Sequence, residues 1–159
     1  MVRKPIKEGD YYAYEIEGGC EIYLNFKNHS IKGAIEIPNT IKDIPIIRIG
    51  QQGFADCPHL TSVIIPDGVK EIGAFAFESC VKLNSVIIPN SVKKIEVSAF
   101  DGCTSLSEIT IPGVEVEIEC FAFEGCVKLS TVIINTSKDK ISIEPDALPE
   151  HTSIHYQDS

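Results

Sequence analysis

Four phenylalanines, Phe54, Phe77, Phe100 and Phe123, stand 23 residues apart, and other columns keep their step. Cys57, Cys80, Cys103 and Cys126 form one, and Leu60, Leu83, Leu106 and Leu129 another. Ile65, Ile88, Ile111 and Ile134 follow, as do Ile49, Ile72, Ile95 and Ile118, five places before each Phe. A fixed period of about 20–50 residues marks a solenoid, in which each copy is one coil that buries its apolar side against its neighbours. The period predicts a β-rich solenoid and narrows the function to a class without naming a ligand.

Within one copy, Ala76-Phe77, Cys80 and Leu83 recur at i, i+3 and i+6, the spacing of a short helical or 3₁₀ turn with one face inward. Val86 and Ile88 then alternate as on a strand, and Pro89, lacking an N–H, ends the ladder. A second extended piece, Val92-x-x-Ile95, leads to the next coil. Gly53, Ala76, Ala99 and Ala122 keep the place before each Phe small, so that the rings can stack as an aromatic spine. Equivalent residues on adjacent coils lie about 4.8 Å apart with parallel Cβ vectors, a poor geometry for a disulfide. The four column cysteines therefore read as reduced, buried, weakly polar fillers, while Cys20 and Cys120 lie outside the column.

The ends are less regular, as capping coils are. Tyr11–Ile16 and Glu21–Phe26 read as two strands around Gly18-Gly19, and Ile35-Glu-Ile-Pro38 repeats the strand ending out of register. The expected organisation is a single domain over 1–159. Residues 1–45 form an N-terminal β cap with a first irregular coil, 46–135 the regular repeats, and 136–159 a degenerate repeat with a C-terminal cap.

The net charge of −9 argues against nucleic acid and against docking on anionic lipid, both of which need a basic footprint. No stretch approaches the roughly 18 apolar residues of a membrane-spanning helix. The N-terminus is charged and lacks the apolar core of a signal peptide, which places the protein in the cytoplasm if Met1 is the natural start. If it is part of a longer product, the cell surface or the medium is the alternative.

The stretch Ile72-Gly-Ala-Phe-Ala-Phe-Glu-Ser-Cys-Val-Lys-Leu-Asn-Ser-Val-Ile-Ile-Pro89 resembles the BspA-like, or treponemal-type, leucine-rich repeat. The resemblance extends from about Tyr11 onward and includes the array opening Ile37-Pro-Asn-Thr-Ile-Lys-Asp-Ile-Pro-Ile-Ile-Arg-Ile49. It implies a right-handed leucine-rich-repeat solenoid with parallel strands lining a concave face and short turns on the convex side. Members of that family are commonly surface proteins associated with adhesion and protein binding.

If Val63 and Ile65 and their copies point inward, the residues between them face out: Ser62, Ile64; Ser85, Ile87; Glu108, Thr110; Thr131, Ile133. The row Ile64–Ile87–Thr110–Ile133 is apolar where solvent is expected, and such rows mark contact surfaces or simply reflect the strand preference of β-branched residues. Glu78, Asp101 and Glu124 form an acidic column that reads as a solvated ridge, since single carboxylates in a ladder do not converge on an ion. Lys70, Lys93 and Lys94 have glutamates close in sequence to offset them. His151-x-x-x-His155 has ligand spacing only on a helix and falls in an extended tail, so no metal site is expected. No nucleophile elbow, phosphate loop, His-Glu-x-x-His or Cys-x-x-Cys is present, so neither catalytic residues nor a cofactor is expected.

Three functions follow as expectations. The first is a non-enzymatic module that binds a protein or peptide through the concave sheet. The second is a self-associating scaffold, with the stripe forming a homodimer or the chain ends stacking. The third is a carbohydrate-binding solenoid, disfavoured by the absence of Trp and by Glu108 being the one acid on the outward strand positions.

Overall fold

In the computed structural model, residues 4–24 and 31–157 are described. They wind into a β-solenoid of about six coils with almost no helix. Chain entry is antiparallel: β1 (Ile6–Glu8) pairs β2 (Tyr11–Ile16), which pairs β3 (Gly19–Leu24). The second strand of this expected hairpin is described to Leu24, so its reach to Phe26 lies outside the described residues.

From β3 onward each coil adds one short strand in parallel to a long sheet. These strands are β6 (Ile44–Ile49), β8 (Glu71–Ile72), β10 (Lys94–Ile95), β12 (Val116–Ile118) and β14 (Ile141–Ile143). A two-residue strand, β5 (Thr40–Ile41), folds back antiparallel on β6.

On the other side of the coil run β4 (Gly33–Glu36), β7 (Leu60–Ile64) and β9 (Ser85–Ile87) in one parallel ladder. A second ladder joins β11 (Glu108–Ile111), β13 (Thr131–Ile134) and β15 (Ser153–Tyr156). The ladder is interrupted between β9 and β11, where the inward Val86 stays half-buried although Val63, Ile109 and Val132 are buried.

The core lies between these two walls and carries all five repeat columns. Phe54, Phe77, Phe100 and Phe123 stack with centroids 5.3, 5.2 and 5.2 Å apart, and Tyr11 closes the N-terminal end against Phe54 at 6.3 Å. Each buried ring contributes about 1.5–3 kcal/mol by leaving water, and offset stacking adds about 0.5–1.5 kcal/mol.

The segment around each Phe keeps the i→i+3 hydrogen bonds of the expected helical or 3₁₀ turn without running on as a continuous helix. It is a run of linked i→i+3 turns, such as Ala76 N–H to Gly73 O, Glu78 N–H to Phe75 O and Cys80 N–H to Phe77 O. The reason is a left-handed residue two places before each Phe (Gln52, Phe75, Ser98, Phe121) and another two places after (Asp56, Ser79, Gly102, Gly125). A left-handed residue cannot continue a right-handed helix. Its reversal turns amides and carbonyls along the solenoid axis, where Phe54, Phe77 and Phe100 N–H donate to Ala76, Ala99 and Ala122 O of the next coil, each at 2.8 Å.

The 3₁₀ turn at Lys138–Lys140 belongs to the insertion after β13.

Candidate functional site

On the β7/β9 ladder, Ser62 lies opposite Ser85 and Ile64 opposite Ile87. On the β11/β13 ladder, Glu108 lies opposite Thr131 and Thr110 opposite Ile133. The alternation of the strands turns all eight side chains away from the buried column between them. Their exposure is uneven: Ile64 is 37% and Ile87 53% exposed, Ser85 and Glu108 are exposed, and Ser62, Thr110, Thr131 and Ile133 are half-buried. Neighbouring coils extend the row at both ends, with Glu36 opposite Ile64 and His155 opposite Ile133. The Ile64–Ile87 pair is thus the apolar centre of the face, and the ladder interruption separates it from Thr110 and Ile133.

The outward face of the long sheet carries charge instead. Glu21 pairs in register with Arg48, Arg48 with Glu71, Glu71 with Lys94, and Lys94 with Glu117, so the sign alternates from coil to coil. Arg48 Nη1 is 2.6 Å from Glu71 Oε2, and its Nη2 is 2.6 Å from Glu96 Oε1. Lys94 Nζ is 2.6 Å from Glu119 Oε1 and 3.5 Å from Glu117 Oε2. Hydrogen bonding to Glu119 raises the Lys94 pKa.

A second glutamate column works on the backbone: Glu96, Glu119 and Glu144 accept the N–H of Ala74, Val97 and Cys120 at 2.9, 2.9 and 3.0 Å. Gly50 and Gly73 hold the corresponding places in earlier coils. The Tyr23 ring lies directly over Gly50, and a side chain at position 73 would strike the Ile49 carbonyl. The sequence reading missed both columns. Their signal was present, since Arg48, Glu71, Lys94 and Glu117 share the 23-residue step, as do Glu96 and Glu119.

At the N-terminal end, Tyr12 and Tyr23 stack at 5.1 Å and Tyr14 meets each edge-on. Burial, with Glu21 beside it, pushes the Tyr23 hydroxyl up.

The thiols of Cys80, Cys103 and Cys126 donate to the carbonyls of Phe54, Phe77 and Phe100 at 3.2, 3.2 and 3.1 Å. All six cysteines are free. The Cys57 thiol, with burial, pushes Cys80 up, and Cys126, with burial, does the same to Cys103. A reactive cysteine needs the opposite environment. Glu78 and Asp101 are half-buried and Glu124 is exposed. Lys93 Nζ donates to the Val114 carbonyl, and His151 and His155 are exposed, His155 on β15. Among the described residues no group of three or more His, Cys, Asp or Glu gathers as metal ligands, and no helix is long and apolar enough to cross a membrane.

The profile of the BspA type leucine rich repeat region matches residues 23–148 in six copies. Among solved structures, a leucine rich cell surface protein from Faecalibacterium prausnitzii is 26% identical, with a TM-score of 0.74 over 94% of this chain. The chain spans 38% of that protein's length. A leucine-rich repeat protein from Bacteroides capillosus is 20% identical, with a TM-score of 0.65 over 97% of this chain and 99% of the other. The leucine rich repeat protein of T. pallidum is 21% identical, with a TM-score of 0.62 over 92% of this chain and 83% of its own. These two share the fold. No curated protein matches the sequence significantly.

Proposed function

Because the chain belongs to the BspA-type leucine-rich-repeat family, we propose that it is a non-enzymatic interaction module that binds a protein or peptide through the outward face of β7, β9, β11 and β13. Repeat proteins of this kind generally mediate protein–protein interaction or adhesion, and stacked coils supply the extended surface this needs. The observation that carries the reading is the in-register pair Ile64–Ile87, 37% and 53% exposed, bordered by Ser62, Ser85, Glu108 and Thr110. An apolar centre with a polar rim is the usual anatomy of a protein contact. Thr131 and Ile133 extend the face toward the C-terminal end.

The test is a triple substitution, Ile64→Lys, Ile87→Lys and Ile133→Lys, followed by capture of partners from native extract and by thermal unfolding. Loss of capture with the melting transition kept is the expected result. Unchanged capture would remove this face from consideration.

Self-association is the second reading, and β15 favours it. Ile154 and Tyr156 continue the columns of Val132 and Ile134, yet each is 36% exposed where Val132 and Ile134 are buried. An uncovered edge of this kind invites pairing with another chain. Sedimentation over a wide concentration range separates the readings, because a strict monomer at the highest concentration excludes the second.

A further inference from the structure

The last coil keeps the inward columns of the coils before it. Ile141 and Ile143 lie in register with Val116 and Ile118, and Ile154 and Tyr156 with Val132 and Ile134. Val116, Ile118, Val132 and Ile134 are buried, whereas Ile141, Ile143 and Leu148 are half-buried and Ile154 and Tyr156 exposed. A coil that ends a solenoid normally turns a polar face outward. This one turns out an apolar face of the kind its predecessors bury.

The backbone at this end is open as well. Ser153 and Gln157 N–H donate to the Ser130 and Ile134 carbonyls at 2.9 and 2.8 Å. Alternation along a parallel strand therefore sends the N–H and C=O of Ile154 and Tyr156 to the opposite side. Among the described residues no strand pairs there. Natural edges are blocked by Lys, Pro or a bulge. Ser153-Ile154-His155-Tyr156 carries neither residue, and its register with β13 is unbroken.

The N-terminal end is different. There β1 and β2 fold antiparallel onto β3, and Tyr11 covers Phe54. Stacking head to tail needs the long sheet open at that end, so the open end finds its complement in its own copy.

Building on the self-association reading above, we propose that two copies join end to end through β15, antiparallel about a two-fold axis at His155. The strand is uncharged and self-complementary about that residue. Ile154 exchanges N–H···O bonds with Tyr156 of the second copy, and Tyr156 with its Ile154, so the open backbone groups on both sides are satisfied. The same pairing sets each Ile154 beside a Tyr156 on the inward face and covers the apolar columns of both cores. On the outward face His155 meets its own copy as a non-hydrogen-bonded pair, with Cα atoms about 4.5 Å apart. The contact is isologous and closes at the dimer.

The test places cysteines on β15. In His155→Cys the two new thiols meet at the axis, within reach of a disulfide, and oxidised glutathione takes up their electrons. Ser153→Cys, also exposed and on the same face, lies about 13 Å along the strand from its own counterpart. Sedimentation of the unsubstituted chain should show a dimer that dissociates on dilution. Non-reducing gels should show a covalent dimer for His155→Cys and none for Ser153→Cys or the unsubstituted chain. Tyr156→Lys should weaken dimerisation by about tenfold or more, as edge lysines do. A dimer that cross-links through both cysteines, or through neither, overturns the two-fold register while leaving self-association standing. A monomer at every concentration overturns both. Dimerisation lost in Ile64→Lys, Ile87→Lys but kept in Tyr156→Lys would move the contact to the other face and also overturn the assignment.

Discussion

The Cys103 sulfur lies 3.2 Å from the carbonyl oxygen of Phe77, 26 residues earlier in the chain. The same bond joins Cys80 to Phe54 and Cys126 to Phe100. The first cysteine of the column, Cys57, turns instead to the Ala55 carbonyl of its own coil at 3.7 Å. The column is therefore a set of donors that tie successive phenylalanine turns together, beyond filling space.

This relationship sets an alkaline limit on stability. Cys80 and Cys103 are held protonated in the fold, their pKa values raised by the neighbouring thiol and by burial. An unfolded thiol titrates near about 8.5. Below that pH both states keep the proton and the full contribution is present. Above it the unfolded chain releases the proton that Cys103 retains in the fold, so stability falls by up to about 1.4 kcal/mol per pH unit through that thiol, while Cys57, lowered by its hydrogen bond with Cys80, offsets part of the Cys80 contribution. Urea midpoints between pH 7 and 9.5 should decline, and the double variant Cys80→Ala, Cys103→Ala should decline less steeply from a lower start. A double variant with the wild-type slope would refute the account. Tyr11 and Tyr23, also raised by burial, contribute only near about pH 10 and above.

Glu96 and Glu117 look alike in sequence and differ in consequence. Glu96 holds both the Ala74 amide and the Arg48 guanidinium with its side chain 17% exposed, while Glu117 reaches Lys94 at 3.5 Å and is 47% exposed. Glu96→Ala should cost about 1–3 kcal/mol, because it strands the Ala74 amide and removes one of the carboxylates on Arg48, which keeps Glu71. Glu117→Ala should cost about 0.5 kcal/mol or less. Chemical denaturation of the two variants checks the ranking, and equal losses would show that the backbone cap carries no weight.

The left-handed position two places after each Phe predicts opposite effects in coils two repeats apart. Ser79 sits there at φ +58° and Gly125 at +67°. Ser79→Gly should stabilise by about 1 kcal/mol through relief of strain, less the entropy that glycine loses on folding. Gly125→Ala should destabilise by at least about 1 kcal/mol, since its Cβ would lie 3.1 Å from the Gly102 nitrogen and 3.2 Å from Asp101 Oδ1. Paired thermal melts decide the matter, and a stabilising Gly125→Ala would contradict it.

The coil, its apolar columns, the phenylalanine spine and the inward–outward alternation of the strands were legible because each coil repeats one local problem. A residue recurring at the period of the coil must meet its own copy, so identity along a column reports burial directly. The alternating charges of Arg48, Glu71, Lys94 and Glu117 are written at the same step, but a column that alternates in sign shows no identity from copy to copy.

Other features were decided by contacts that no period encodes. Apolar spacing at i, i+3 and i+6 fits a helical turn as well as linked turns, and only the hydrogen bonds between coils select the left-handed residues that separate them. The uneven exposure of Ile64, Ile87, Thr110 and Ile133 follows from where the strand ladder is interrupted, and that of Ile154 and Tyr156 from the ladder ending at β15. By itself the sequence determined the coil, because like stacks on like. Tertiary structure decided the surfaces, because these form where that stacking is interrupted or ends.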